Sequence, residues 1–173
     1  MLTLEQFHII SESDAYGAGF VAKCAEVPSL ILYAPTEEEA VAKVRRRITA
    51  KLEDIERYRA DQSLQSDNDE IPALEQWNPP TIGQEISSLA SVYSLDSSAL
   101  AARSGIPYDH LEAVLRGDEL LTELDALLLS FVLKPLLPSA FLSMQRVSRS
   151  WHARHPGCLP GESKEEYEER IRA

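Results

Sequence analysis

The sequence predicts an α+β protein in which a small antiparallel sheet and one long helix precede an all-helical region. Three observations lead to this fold class: short strand-like apolar runs in residues 1–34, an apolar spacing of three and four from residue 36 to 59, and helical patterning from residue 83 onward. A hydrophobic fraction of 44% and a charged fraction of 26% over 173 residues are typical of a globular protein of one or two domains.

Three apolar runs carry the strand signal. They are FHIIS at residues 7–11, the alternating GFVAKCAEV at residues 19–27, and LILY at residues 30–33. We expect ESDAYGAG to form the first turn, and Pro28 and Ser29 to separate the second strand from the third.

A long amphipathic helix is predicted next. Thr36 is placed to act as the N-cap, with Glu39 three residues later completing a capping box. The apolar residues of this helix form one stripe: Val41, Val44, Ile48, Leu52 and Ile55. Residues 1–60 are therefore predicted to form one small α+β module.

Residues 61–82 are predicted to be an acidic linker. They contain five acidic and no basic residues, together with Ser, Asn and Pro. Trp77 is unusual in such a segment, and we expect it to dock on a neighbouring domain.

Residues 83–133 are predicted to be a helical domain whose core is separate from that of residues 1–60. Asp96 is a candidate N-cap, Gly105 and Gly117 are helix stops, and Thr122, three residues before Asp125, is a candidate cap for a strongly apolar helix. Residues 134–173 form a helical extension, in which Ser139 opens one helix and a capping box at Ser163 opens a short last one.

The segment LDSSALAARSGIPYDHLEAVLRG, residues 95–117, resembles the Cro/C1-type helix-turn-helix. Apolar and small residues stand at the positions that form the small core and the glycine turn of that motif. These positions are Leu95, Leu100, Ala101, Gly105, Ile106, Leu111, Val114 and Gly117. The following SAFLSMQ, residues 139–145, is similar to the segment after this domain in HigA-type antitoxins.

The first 75 residues resemble HicB-like antitoxin domains, which have a reduced ribonuclease H-like fold. The matching residues are Phe20, Val21, Ala22, Val27, Pro28, Thr36, Glu38, Glu39, Ala40, Val44 and Leu52, followed by EIPALE at residues 70–75. Together the resemblances imply an antitoxin-like regulator of a type II toxin–antitoxin system. In that plan the N-terminal module neutralises a small basic RNA-cleaving toxin, and the helix-turn-helix represses the operon as a homodimer or higher oligomer.

Operator contacts follow from the geometry of the helix-turn-helix, in which the second helix enters the major groove. The predicted DNA-binding residues are Ser97, Ser98, Tyr108, Asp109, His110, Glu112 and Arg116. Auxiliary phosphate contacts are predicted for Arg146, Arg149 and Arg154.

The charge balance opposes a simple DNA-binding role. The net charge is −11, and Arg103 and Arg116 are the only Lys or Arg in residues 83–133, against eight acidic residues. Phosphates supply most of the binding free energy and require cations. Two alternatives therefore stay open: a dimeric transcriptional repressor without a toxin partner, and an acidic adaptor that binds protein and no longer binds DNA.

Catalysis, cofactors and metals are not expected. The sequence contains no Gly-rich phosphate loop and no nucleophile elbow. His152, His155 and Cys158 supply three ligand types where a structural zinc site requires four. No apolar run is long enough to cross a bilayer, and the first residues do not follow the layout of a secretory signal. We expect a cytoplasmic protein whose Cys24 and Cys158 are unpaired thiols.

Overall fold

The computed structural model describes residues 1–15, 17–64, 77–134 and 136–172. The strands are β1 (Ile9–Ser13), β2 (Phe20–Cys24) and β3 (Val27–Ala34). The helices are α1 (Glu37–Leu64), α2 (Ile82–Val92), α3 (Ser97–Ser104), α4 (Tyr108–Arg116), α5 (Glu123–Val132), α6 (Pro138–Arg154) and α7 (Lys164–Arg172). The protein is thus α+β, with the strands first and the helices after them, as the sequence predicts.

The three strands form an antiparallel sheet in the order β1-β2-β3. Pro28 and Ser29 lie inside β3 and do not separate two strands, so that expectation was wrong. The chain instead reverses before Pro28, between Cys24 and Val27, which pair across the turn. Proline is tolerated there because β3 is an edge strand and the register shifts beside it, at Lys23 and Cys24.

Helix α1 covers one face of the sheet and packs against all three strands. Its start is as predicted, since the Thr36 hydroxyl accepts a hydrogen bond from the Glu39 amide at 3.3 Å. Most of the predicted stripe is buried, and Val41 is half-buried at its margin. The helix continues to Leu64, into the predicted linker. Residues 65–76 of that linker lie outside the described residues.

The later helices begin at the caps visible in the sequence. The Asp96 carboxylate accepts from the Ala99 amide at 2.7 Å, and Thr122 accepts from Asp125 at 3.2 Å. Helix α6 begins at Pro138, one residue before the predicted Ser139, because proline suits the first position of a helix. No helix in the described part of the chain is long and apolar enough to cross a membrane.

The sheet and the helical bundle share one hydrophobic core. We expected two separately cored units, whereas the buried apolar side chains of both form a single cluster. Strand β3 packs against α3 and α5, and α1 packs against α5 and α6. The two cores merge because helices of the bundle cover both β3 and the part of α1 that does not contact the sheet.

Charged side chains of α1 also join the helices of the bundle at their ends. Lys51 Nζ donates to the carbonyl of Ser130, near the C-terminus of α5, at 3.4 Å. The buried Asp54 accepts from the Ser139 amide at 2.8 Å, in the first turn of α6. The positive Lys51 lies near a helix C-terminus and the negative Asp54 lies at a helix N-terminus, so each charge stabilises the helix end that it contacts.

The turn between α3 and α4 lies directly against the sheet. Gly105 has a φ of +82°, and a Cβ built on it would lie 2.8 Å from the carbonyl oxygen of Glu26. Gly117 has a similar φ of +85°, but a Cβ there would meet nothing within 4 Å. A side chain at either glycine would strain the left-handed backbone, but only one at Gly105 would also collide with the sheet. Comparing the two positions therefore separates the two costs.

We predict that Gly105→Ala lowers the free energy of unfolding at least about 1 kcal/mol more than Gly117→Ala does. Both substitutions carry the left-handed backbone cost of about 1–2 kcal/mol, and only Gly105→Ala adds a clash with the sheet. Urea unfolding followed by circular dichroism measures both. Equal losses would show that the turn does not press on the sheet in solution.

Candidate functional site

Helices α3 and α4 are two short helices joined by a tight turn at Gly105, Ile106 and Pro107. The apolar residues of this segment that we expected in its core are buried: Leu95, Leu100, Ala101, Ile106, Leu111 and Val114. Apart from the buried Ser104, the polar residues between them are exposed or half-exposed at the surface of the two helices. This surface is the candidate nucleic-acid interface.

The structure brings several of the predicted contact residues together. Tyr108 is 49% exposed at the start of α4, and Asp109 beside it is exposed. Ser97, Glu112 and Arg116 line one surface cavity of about 380 Å³ between α2, α3 and α4. Ser98 is exposed in the first turn of α3. A ligand in this cavity would meet two carboxylates, two hydroxyls and one guanidinium, those of Asp96, Glu112, Ser87, Ser97 and Arg116.

Arg116 forms an ion pair with a carboxylate of its own chain. Its Nε donates to Asp118 Oδ2 at 2.8 Å, and this hydrogen bond raises the pKa of Arg116. Both side chains are exposed, so the pair is screened by water and is worth little to stability. The pair nevertheless cancels the charge of the one Arg on α4.

His110 turns toward α5. Its Nε2 lies 2.9 Å from Asp125 Oδ2, and its Nδ1 contacts Glu119. Asp125 is buried and also accepts hydrogen bonds from the Thr122 amide and hydroxyl. The hydrogen bonds that His110 makes to Asp125 and, to a smaller extent, to Glu119 raise the pKa of His110. The imidazole thus links α4 to the first turn of α5 by a hydrogen bond.

The three auxiliary arginines lie on α6, and no Cα atom of α6 lies within 8 Å of one in α4, both helices being fully described. Arg146 donates to Gln62 of α1, and Arg154 Nε donates to the Ser150 carbonyl at 3.2 Å. Arg146 and the exposed Arg149 line a different cavity, of about 710 Å³, between α1, α5 and α6. The described geometry does not bring them to the cavity that holds Arg116.

Trp77 joins an aromatic cluster with Trp151, His155 and Tyr167. Trp77 Nε1 donates to the Glu162 carbonyl at 2.9 Å, and its ring lies 5.1 Å from that of Trp151. The expectation that Trp77 docks on folded structure is therefore confirmed. His155 stacks on Trp151 at 4.2 Å, whereas His152 Nε2 lies 3.2 Å from the Pro79 carbonyl oxygen.

No group of three or more His, Cys, Asp or Glu in the described residues is arranged to hold a metal ion. Both cysteines are free thiols. Burial, with hydrogen bonding to Glu26, raises the pKa of Cys24 to about 11. That thiol stays protonated at neutral pH and is unsuited to act as a nucleophile.

Sequence reasoning did not find the carboxylates that engage the cations of α4. Asp118 is two residues from Arg116, so this pair could have been found from spacing. Asp125 was identified only as part of a helix cap, and its contact with His110 depends on where the fold places the start of α5 relative to α4. Sequence spacing gives no signal for that contact.

Comparison of the chain with protein-family models, curated proteins and solved structures finds no match. The resemblances to HicB-like and Cro/C1-type domains accordingly stay predictions.

We predict that the stabilising effect of His110 depends on pH. Its pKa is raised in the folded state, so its contribution is complete below the unfolded pKa of about 6.5 and is lost as pH rises through the folded value. His110→Gln should lower the free energy of unfolding by about 1 kcal/mol near pH 6, and by less near pH 9. Chemical unfolding at both pH values measures this.

Arg116→Gln is the matched control, because the hydrogen bond to Asp118 raises the already high pKa of Arg116, so its guanidinium keeps its charge at both pH values. It should change stability only slightly, and equally at both. An effect of His110→Gln that is the same at pH 6 and pH 9 would contradict the assignment of His110 to a charged pair.

Proposed function

We propose that this chain is an antitoxin-like regulator that binds and neutralises a small basic protein toxin. The observation that carries the proposal is the engagement of the α4 cations, since Arg116 binds Asp118 and His110 binds Asp125 and Glu119. Asp109 and Glu112 stand beside them on the same helix. The α4 surface therefore offers little to neutralise phosphate, which favours a cationic protein over nucleic acid as the main partner of this chain.

The overall charge supports the same partner. A net charge of −11 accelerates association with a basic protein and slows association with nucleic acid. Masking the cationic RNA-binding surface of an RNA-cleaving toxin would silence it. The resemblance of the first 75 residues to HicB-like domains supports this form of neutralisation.

The proposal predicts a partner encoded beside this gene, as a short reading frame for a basic protein of roughly 60–100 residues. Expression of that protein alone should arrest growth, and co-expression of this chain should restore it. The purified pair should bind with an affinity that falls as salt rises, because the attraction is between opposite charges. If the neighbouring basic protein is harmless and does not bind this chain, the proposal is wrong.

A second candidate function is repression of the operon through α3 and α4. The glycine turn at Gly105 and the exposed residues at the starts of both helices favour it. In this role Ser97 and Ser98 would contact phosphates and Tyr108 and Asp109 would face base edges. A carboxylate is able to accept from the cytosine amino group.

If α4 binds the promoter, Asp118→Asn should strengthen binding, because it releases Arg116 from its ion pair. Arg116→Ala should weaken binding and reduce the salt dependence by about one phosphate contact. Gel shift with the gene's own promoter across a salt series measures both. Arg172→Ala, on α7, is the control and should change nothing. A promoter shift that neither α4 variant alters would place DNA binding elsewhere.

A further inference from the structure

Strand β1 leaves one edge of the sheet open. The amide of Ala25 donates to the His8 carbonyl, and the amide of Asp14 donates to the Gly19 carbonyl, so the even-numbered residues of β1 face β2. By the alternation of an antiparallel ladder, Ile9, Ser11 and Ser13 direct their amide and carbonyl groups to the opposite side. No helix or strand of the described chain pairs with that side, whereas β3 is flanked by α3 and α5.

The sheet surface that faces away from α1 is apolar. Ile10, Ile31 and Tyr33 are 49%, 47% and 61% exposed, and Val21 lies between Glu12 and Tyr33 in the register. The two charges on this surface, Glu12 and Lys23, pair with each other at 2.9 Å. An added strand could therefore extend an apolar surface without meeting an unpaired charge there.

The other side of the β1 edge is acidic. Glu37, the first residue of α1, accepts a hydrogen bond from the Ser11 hydroxyl, and Glu38 and Glu39 follow it in the first turn. All three glutamates are exposed. An incoming strand would thus have apolar side chains favoured on the outer surface and cationic side chains favoured beside Glu37.

We propose that the β1 edge is the docking site for an extended basic segment of the partner protein, which adds a fourth strand to the sheet. Backbone groups of Ile9, Ser11 and Ser13 supply the hydrogen bonds, and the carboxylate of Glu37 selects cationic side chains. This inference rests on the proposed function, because it locates the surface that the basic partner uses.

The same charges disfavour a second copy of this chain at the edge. A two-fold antiparallel pairing of β1 strands centred on Ser11 would bring together the two Glu37 carboxylates that contact it. Like charges at close range across a strand pair are destabilising. A basic segment converts the same carboxylates into an attraction.

A synthetic peptide tests the edge directly on the full-length chain. The probe is an acetylated and amidated (Lys-Val)₄ peptide, whose alternation allows valines on the outer surface and lysines beside Glu37. Its binding should protect the amides of Ile9, Ser11 and Ser13 from hydrogen exchange. The (Glu-Val)₄ peptide, and a (Lys-Val)₄ peptide N-methylated on alternate residues along its hydrogen-bonding side, should each bind at least about tenfold more weakly.

Two variants of the protein complete the test. Ser11→Pro removes an outward amide without breaking the bonds to β2, since proline is tolerated on edge strands, and it should weaken the peptide about tenfold. Lys164→Pro, at the first position of α7, is the control and should bind normally. Glu37→Gln should weaken binding of (Lys-Val)₄, whereas Glu165→Gln, in the first turn of α7, should not.

Several outcomes would overturn the inference. Equal binding of the N-methylated peptide would exclude strand addition, and equal binding of (Glu-Val)₄ would exclude selection for a basic segment. A dimer in sedimentation experiments that Ser11→Pro dissociates would assign the edge to a second copy. If the neighbouring basic protein binds this chain but leaves residues 9–13 unprotected from exchange, the docking site is wrong and the proposed function stands.

Discussion

Helix α1 is the element on which the rest of the structure depends. Its buried stripe, with Val44 and Ile48 fully excluded from solvent, closes one face of a sheet that has only three strands. A sheet of this size needs such cover to be stable. Along the same helix, Lys51 and Asp54 bond to backbone groups at the ends of α5 and α6, and Arg59 pairs with Glu123 at the start of α5. One helix thus holds both halves of the molecule.

This arrangement limits how the two candidate surfaces can act. The β1 edge lies on one side of the unit built around α1, and the α3–α4 turn lies close against the same sheet, with Gly105 beside the carbonyl of Glu26. Under the proposed function, a basic partner on the sheet and an operator on α4 would therefore bind one connected body. The positive charge of a bound partner would favour DNA binding, because it would offset the negative charge of this chain that repels phosphate.

Features set by local sequence were predictable. The stripe from Val44 to Ile55, the caps at Asp96 and Thr122, and the turn at Gly105 depend on spacing within a few residues. The position of Pro28 was not predicted, because its tolerance depends on β3 being an edge strand. The hydrogen bond from the Ser139 amide to Asp54 joins residues 85 apart in sequence, and that between His110 and Asp125 joins α4 to the start of α5. Periodicity carries no information about such contacts, so sequence reasoning predicted separate cores and a more available set of cations on α4.

The central claim is that α1 makes the sheet and the helical bundle one cooperative unit, and differential scanning calorimetry of the wild type and Asp54→Ala tests it most directly. The account predicts one transition in the wild type, with equal calorimetric and van't Hoff enthalpies. Asp54→Ala removes the acceptor of the Ser139 amide at the start of α6, so it should lower the free energy of unfolding by about 1 kcal/mol. The whole transition should then move to lower temperature. Two separable transitions, with Asp54→Ala shifting only the one that belongs to the helical bundle, would contradict it.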